Sequence, residues 1–338
     1  MRVTFWGVRG SFPVPGPGTT RYGGNTACVS VEAEGAPLII LDAGTGIRPL
    51  GKRLMKAEFG GGKGLAHLLI SHTHWDHVQG FPFFQPIYVP GNELHLWGMQ
   101  REDSHLRAMF RDTLHEENYF PVPFDSLKGQ IVFHEVPEGE AFTIGPAQVS
   151  TVRLNHPWLA CGYRVQVGAA SVCYITDTAP FSDFLLDRQF IRFKPPGVED
   201  METAQVLWSA HAALVSTVRD ASVLVYDTLF TKEEFEAHPH WGHGTAADAI
   251  QLAREAGAGM VVPFHHAPHR DDKAMDAFSA DARALAAAGG ASPRVVVAYE
   301  GLVLEIDEKS AGTPVKVLPA AEPPPARQDA AAASGGGA

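Results

Sequence analysis

No apolar run in this 338-residue chain is long enough to span a bilayer. The opening residues Met1-Arg2-Val3-Thr4-Phe5-Trp6 lack the long apolar stretch of a signal peptide and read directly as a strand, so the expectation is a soluble cytoplasmic protein. Cysteine is scarce: Cys28, Cys161 and Cys173 are odd in number and lack metal-ligand spacing, so they read as small buried apolar side chains in a reducing compartment. Charge is scarce as well, at 19% of residues against 45% hydrophobic, which excludes disorder as the state of most of the chain. Positive charge is scarcest. The formal net charge is -11 and no run of Lys and Arg occurs, which argues against a broad grip on a long polyanion. A small phosphate ester stays open, because bound divalent ions would put positive charge at the one place a phosphate needs it.

What the chain does have is histidine in one place. Ser71-His72-Thr73-His74-Trp75-Asp76-His77 packs three imidazoles and a carboxylate into six positions. The preceding Leu65-Ala66-His67-Leu68-Leu69-Ile70 reads as a short buried strand after a glycine turn. Side chains alternate in extended chain, so His72 and His74 are expected to point the same way as the strand ends. Asp76 and His77 follow where the chain turns, close enough to reach a second ion. Imidazole nitrogen with carboxylate oxygen suits zinc, and also manganese or iron. The alternative is a chance cluster on a solvated loop. The spacing favours a two-metal hydrolase.

Strand patterns recur along the chain. They fall at 3–6, 27–32, 38–42, 131–133, 148–152, 162–165, 171–175, 222–226 and 259–264, with helical patterns at 48–59, 101–117, 201–218 and 246–256. Residues 81–98 are rich in aromatic, Pro and Gly residues, and the segment 81–124 reads either as a lid over the site or as a packed layer or dimer contact. Two strand-rich stretches, each with helices, predict an α/β sandwich of two mixed sheets with helices outside. From Lys309 the pattern is lost, and residues 309–338 read as a disordered Ala/Pro/Gly-rich tail behind a domain of residues 1–308.

Ligand-type residues recur at later strand ends. His156 follows the strand at 148–152, Asp177 closes an apolar strand inside Thr176-Asp177-Thr178, and His265 and His266 end another strand. Taken singly, each reads equally as a turn, capping or surface residue. Together they change meaning, because strand ends along one edge of a layered α/β fold converge on a common crevice. His72, His74, Asp76, His77, His156, Asp177 and His265 would supply two ions, with Asp177 lending an oxygen to each.

The ordered set goes further. His72-Thr73-His74-Trp75-Asp76-His77, His156 ahead of Gly162-Tyr163-Arg164, Thr176-Asp177-Thr178, Trp241-Gly242-His243-Gly244-Thr245 and Phe264-His265-His266-Ala267-Pro268 resembles the metallo-β-lactamase fold superfamily. Leu41-Asp42-Ala43-Gly44-Thr45-Gly46 fits the strand and turn before the first helix. The likeness lies in the phosphodiesterase branch, which includes ribonuclease Z and cyclic-phosphodiester hydrolases. It implies a four-layer αββα sandwich. It further implies that His72, His74 and His156 hold one ion, that Asp76, His77 and His265 hold the other, and that Asp177 bridges. The family's last ligand usually stands three residues before a proline, so Pro268 favours His265 and leaves His266 facing substrate or supporting the site. Asp42 would orient a ligand histidine through a hydrogen bond. Asn25, in a glycine-rich turn, reads as a turn residue or a substrate contact.

Two ions about 3.5–4 Å apart would polarise a bridging water toward hydroxide and neutralise charge on the attacked phosphate. Asp76 and His243 are the candidate catalytic residues, His243 as the acid that protonates the leaving oxygen. The alternative for His243 is helix-entry structure, with Thr245 as the cap. Gly244 stands where serine is common in the ribonuclease Z pattern. No basic, glycine- and proline-tipped arm of the kind that clasps tRNA is evident. The resemblance therefore points first to a small cyclic or linear phosphodiester, then to tRNA 3′ processing, then to esters, thioesters or lactones.

Overall fold

The computed structural model describes residues 1–101, 105–113, 116, 118, 120–181, 201–290 and 293–318. The chain first lays down β1 (Arg2–Gly7), β2 (Cys28–Glu32), β3 (Leu38–Leu41), β4 (Leu65–Leu69), β5 (Glu93–Met99) and β6 (Gln130–Val136). It then builds a second sheet from β7 (Ala141–Ile144), β8 (Ala147–Arg153), β9 (Cys161–Val167), β10 (Ala170–Ile175), β11 (Val223–Asp227), β12 (Met260–Phe264) and β13 (Arg294–Val295). Finally β14 (Val303–Glu305) and β15 (Lys316–Leu318) return to the first sheet beside β1. Strands β3 to β6 run parallel, and so do β10 to β13.

Both central sets of strands are apolar on both faces, as strands covered on both sides must be. Val3, Phe5, Val29, Val165, Val172, Val225 and Phe264 fill the space between the sheets. Ile40, Leu68 and Leu96 face outward from the first sheet onto Ile47 and Leu50 of a helix Ile47–Leu54, and onto Phe81, Phe84 and Phe110. Leu224 and Val261 face outward from the second sheet onto the helices Met201–Val218, Ala246–Ala256 and Asp272–Ala288. The layers are helix, sheet, sheet, helix. The three cysteines are free and buried, as their spacing suggested.

The order of strands positions the site. Strands β3 and β4 run parallel in one sheet, β10, β11 and β12 run parallel in the other, and β8 is antiparallel to β9, which is antiparallel to β10. The segments that follow β3, β4, β8, β10, β11 and β12 therefore all leave from one edge of the sandwich. Tyr163 Oη donates to Ile70 O at 2.7 Å and Cys161 N–H to Ser71 O at 2.8 Å, so the second sheet is bonded directly to the end of β4.

Several expectations need correction. Residues 93–99 are a full strand between β4 and β6, with Leu94 and Leu96 buried between half-buried Glu93, His95 and Trp97. The helix expected over 48–59 ends at Leu54, and the glycines at 60–62 close a separate turn, Glu58–Gly61. Of the helix expected over 101–117, only Leu106–Ala108 and a wide turn Met109–Thr113 are helical, and 102–104, 114, 115 and 117 lie outside the described residues. The helix Asp272–Ala288 is absent from the expectations above, although Asp271 caps it by accepting the Ala274 N–H at 2.8 Å.

The folded region also runs past residue 308. Strand β15 pairs with β14 and Val315 is buried, because the turn after Ile306 brings an apolar pair, Val315 and Val317, back to the sheet edge. Residues 319–338 of the expected tail lie outside the described residues. Truncation after Glu308 should therefore lower Tm relative to truncation after Leu318. Loss of one buried valine and an edge strand costs about 1–3 kcal/mol, or roughly 2–8 °C for a domain of this size. Calorimetry of the two truncated chains checks it, and equal Tm values would show that β15 contributes nothing.

Candidate metal centre

The run after β4 bends into a helical turn, Trp75–Val78, with His74 at its N-terminal boundary. The turn sends Asp76 and His77 inward, whereas His74 stays exposed at the mouth. Three strand-end residues, Asp42, Asp177 and His265, sit at φ values of 60°, 55° and 59°. Non-glycine residues adopt that left-handed conformation at a cost of order 1–3 kcal/mol each, and they persist only where surrounding contacts over-determine them. The strain turns each side chain back over the end of its strand.

The donors fall into two groups. His72, His74 and His156 form one, and Asp76, His77, Asp177 and His265 form the other, with all ligand atoms in each group within 4.8 Å of one another. His74 Nδ1 lies 3.1 Å from His156 Nε2. In the second group His77 Nε2 lies 3.2 Å from His265 Nε2, and Asp76 Oδ2 lies 3.3 Å and 3.0 Å from those two nitrogens. Asp177 stands between the groups. Its Oδ2 is 3.7 Å from His72 Nε2 and 3.8 Å from His156 Nε2, while its Oδ1 is 3.2 Å from both His77 Nε2 and His265 Nε2.

Three of the imidazoles have one nitrogen committed elsewhere. His77 Nδ1–H donates to Asp42 Oδ2 at 2.7 Å and His156 Nδ1–H to Gly242 O at 2.8 Å. Ser71 Oγ–H donates to Asp42 Oδ2 at 2.7 Å, which leaves Ser71 Oγ to accept from His72 Nδ1–H at 3.1 Å. The Nε2 lone pairs of these residues are thereby aimed into the cluster. His72 Nε2 is buried and has no hydrogen-bond partner among the described residues. A buried, orphaned lone pair is costly unless something binds it. Tetrahedral ligands about 2.0–2.1 Å from zinc stand roughly 3.3 Å apart, close to the spacings in the second group. The residues present therefore fit divalent metal.

Charge follows the same plan. Burial alone would raise the Asp177 carboxyl, but His265, His77 and His72 hold it well below the usual range. Burial also opposes ionisation of Asp76, and His77 and His265 overcome it. Burial would lower His77 and His265, yet the surrounding carboxylates, Asp177 foremost, hold both above the usual imidazole value. His156 has few compensating charges, and burial pushes it down to about 3, while burial and neighbouring His77 hold His72 well below its usual value.

A third set, Asp177, Asp227, His243 and His265, also clusters. Here Asp227 is already spent. Its Oδ2 accepts His243 Nδ1–H at 2.8 Å and Thr178 N–H at 3.1 Å, and its Oδ1 accepts Leu229 N–H at 2.9 Å. Asp227 thus orients His243 rather than binding an ion. Asp227 is not among the residues that the sequence singles out above, although it closes β11. Thr245 caps the following helix in a box with Asp248, so His243 is held from both sides. At Gly244 a Cβ would meet Tyr226 Cε1 at 2.9 Å and Thr178 O at 3.0 Å, so the turn has no room for the serine common in the resembled pattern.

Two expectations left open are decided by position. His265 faces the cluster, whereas His266 donates Nε2–H to Ala298 O at 2.8 Å, away from it. Asn25 hydrogen-bonds Glu300 through its backbone N–H and its side-chain amide at 2.6 Å and 2.9 Å, which makes it a turn residue. Arg9, which the sequence did not single out, is fully buried and donates to Gly23 O, Ala267 O and Arg270 O. It ties the N-terminal loop, where Ser11 N–H donates to Asp76 Oδ2 at 2.7 Å, to the loop after His265.

A four-layer sandwich with a His/Asp centre at one strand edge defines a protein of the metallo-β-lactamase fold. Comparison with known proteins agrees. A model of the β-lactamase superfamily domain matches residues 38–191. Ribonuclease Z of Haloferax volcanii is 25% identical over 280 residues, covering 76% of this chain and 81% of that one. Human tRNase Z, short form, superposes with a TM-score of 0.59 at 18% identity over 91% of this chain and all of that one. A diphosphatase of the PhnP family superposes with a TM-score of 0.56 at 19% identity, over 90% and 98% of the two chains. This chain has the metallo-β-lactamase fold, and it is similar in sequence to ribonuclease Z and in fold to tRNase Z and a PhnP-family diphosphatase over most of its length. No helix among the described residues is long and apolar enough to cross a membrane.

Metal binding should release protons. His77 and His265 are held above the usual imidazole value, so they keep a proton that an ion must displace up to higher pH than His72 and His156, which burial holds low. Zinc titration of the metal-free protein should therefore release protons, and fewer as the pH is raised, read by calorimetry in buffers of different ionisation enthalpy. No buffer dependence would contradict the charge scheme. Asp42→Ala should weaken zinc binding about 10–100-fold, and competition with a chelator measures it.

Proposed function

We propose that this chain is a metal-dependent phosphodiesterase acting on a small cyclic or linear phosphodiester, with His72, His74, Asp76, His77, His156, Asp177 and His265 holding two divalent ions. Zinc suits the nitrogen-rich donor set best. The ions would supply Lewis acidity toward phosphoryl oxygens and acidify a water. The observation that carries the reading is the buried Asp227–His243 pair beside the cluster.

His243 gives its Nδ1–H to Asp227, so Nε2 is the atom that can hand a proton to a leaving oxygen. The aspartate stabilises the imidazolium that precedes that transfer. The proton on Nε2 passes to the departing alkoxide as the P–O bond breaks, and water supplies the oxygen of the new P–O bond. Asp177 offers one oxygen to each donor group, and Asp76 is locked in place by the Ser11 N–H. An ester or lactone hydrolase has less need of such an acid.

RNA is the second reading. It is favoured by the ribonuclease Z relatives and by a groove of about 940 Å³ lined by Arg2, Arg21, Arg53, Arg283 and Arg294. Two of these are neutralised, Arg21 by Asp276 and Arg53 by Glu32. The negative net charge weighs the other way.

The test is hydrolysis by the zinc- or manganese-loaded protein of bis(p-nitrophenyl) phosphate, a cyclic nucleotide and a precursor tRNA. Asp177→Ala should abolish cleavage. His243→Ala should cost about 10²–10⁴-fold in kcat on the cyclic nucleotide, whose alkoxide needs a proton, and less on the nitrophenyl ester, whose phenolate leaves unaided. Equal losses on both would remove His243 from the acid role. Cleavage of precursor tRNA alone would establish the RNA reading, and activity confined to carboxylic esters would sink both.

A further inference from the structure

Three of the six tryptophans stand within two residues of a site histidine. Trp75 follows His74, Trp158 follows His156 and Pro157, and Trp241 precedes Gly242 and His243. They are 58%, 48% and 50% exposed, among the most exposed large apolar side chains of the described residues. Single exposed apolar residues are ordinary, but a group of them at one opening marks a binding surface.

The segments that carry them touch. His74 and His156 meet at 3.1 Å, His156 bonds Gly242 O at 2.8 Å, and a Cβ on Gly242 would lie only 2.5 Å from Pro157 Cδ. The three indoles are therefore carried on adjoining turns, one of them next to the exposed His74. A second observation is independent of exposure. Trp158 has φ 67°, a left-handed conformation that is a true outlier for a bulky side chain. Its ring makes no hydrogen bond or ring-stacking contact among the described residues, and about half of it is exposed. Strain of this kind gathers at ligand clamps.

We infer that Trp75, Trp158 and Trp241 form an aromatic collar that stacks a planar ring carried on the phosphate ester held by the metal centre. The inference rests on the phosphodiesterase reading for the phosphate and adds the ring. Indole faces bind rings without adding positive charge, so the collar selects a short ester with an aryl or nucleobase group over a bare polyanion. Trp241 is braced from behind by His238 at 4.6 Å and Phe230 at 6.2 Å between ring centroids. Trp75 and Trp158 are the freer pair.

The experiment is calorimetric binding of adenosine 5′-monophosphate, phenyl phosphate and methyl phosphate to the zinc-loaded full-length protein, with diester hydrolysis measured alongside. Both ring-bearing esters should bind about five- to thirty-fold tighter than methyl phosphate. In the Trp75→Ala/Trp158→Ala double variant that preference should collapse toward unity. A preference for the adenosine ester alone would identify the ring as a nucleobase, and equal preference would identify any aryl group. Equal affinity for all three esters in the wild type, or an undiminished preference in the double variant, overturns the collar. Preference without hydrolysis of any diester defeats the phosphodiesterase reading and leaves the collar standing, whereas hydrolysis without preference does the reverse. Trp158→Gly separates ligand binding from packing, because glycine accepts the positive φ. It should lose ring preference with a Tm equal to or above the wild type, and a clear drop in Tm would make Trp158 a packing residue.

Discussion

The structure depends on one buried carboxylate that takes four hydrogen bonds. Asp42 accepts the Ser71 N–H at 2.7 Å, the Ser71 hydroxyl at 2.7 Å, His77 Nδ1–H at 2.7 Å and the Tyr174 hydroxyl at 2.9 Å. Ser71 and His77 follow β4 in the first sheet, and Tyr174 lies on β10 in the second. A fully buried charge is tolerable only when its oxygens are satisfied in this way. The same four bonds fix the histidine run, aim His77 and join the sheets above the interior core. Replacing Asp42 would disturb all of these together, which is why its left-handed backbone is retained.

The centre is anionic by construction and is balanced locally. Asp76 and Asp177 would repel each other without His77 and His265 between them. When protonated, those histidines stabilise the carboxylates, and when neutral they offer lone pairs to metal. One set of side chains thus serves two charge states. The histidines of the other group, His72 and His156, are held neutral by burial and wait for an ion. This asymmetry between the two groups means that they need not fill with equal affinity.

Much of the site was legible because the chemistry is local or repeats at strand ends. The His72–His77 run declares itself, and Asp177 and His265 follow apolar strands whose ends share one edge. Asp227 obeys the same rule and escaped notice because it lies outside the ligand count, being partner to His243. The choice between His265 and His266 lay outside strand periodicity, since the residue at a left-handed bend faces whichever way the strain turns it. In the fold, β5 was hidden among prolines and aromatics, although Glu93-Leu94-His95-Leu96-Trp97 alternates as a strand should. Arg9 was illegible for another reason: its partners are carbonyls of distant loops, which leave no mark in the sequence.

The donors are scattered from His72 to His265, and this has a bearing on how the protein is made. No short peptide from this chain holds a complete donor set, since even the smaller group needs His156 beside His72 and His74. The second group joins His77 to His265 across 188 positions. Bringing such distant segments together carries its entropic cost before any ion can reward it. An ion cannot nucleate the chain as it does in a small zinc finger. It would come to a scaffold already assembled, and in a nascent chain emerging residue by residue the second group would stay incomplete until β12 has been synthesised and docked.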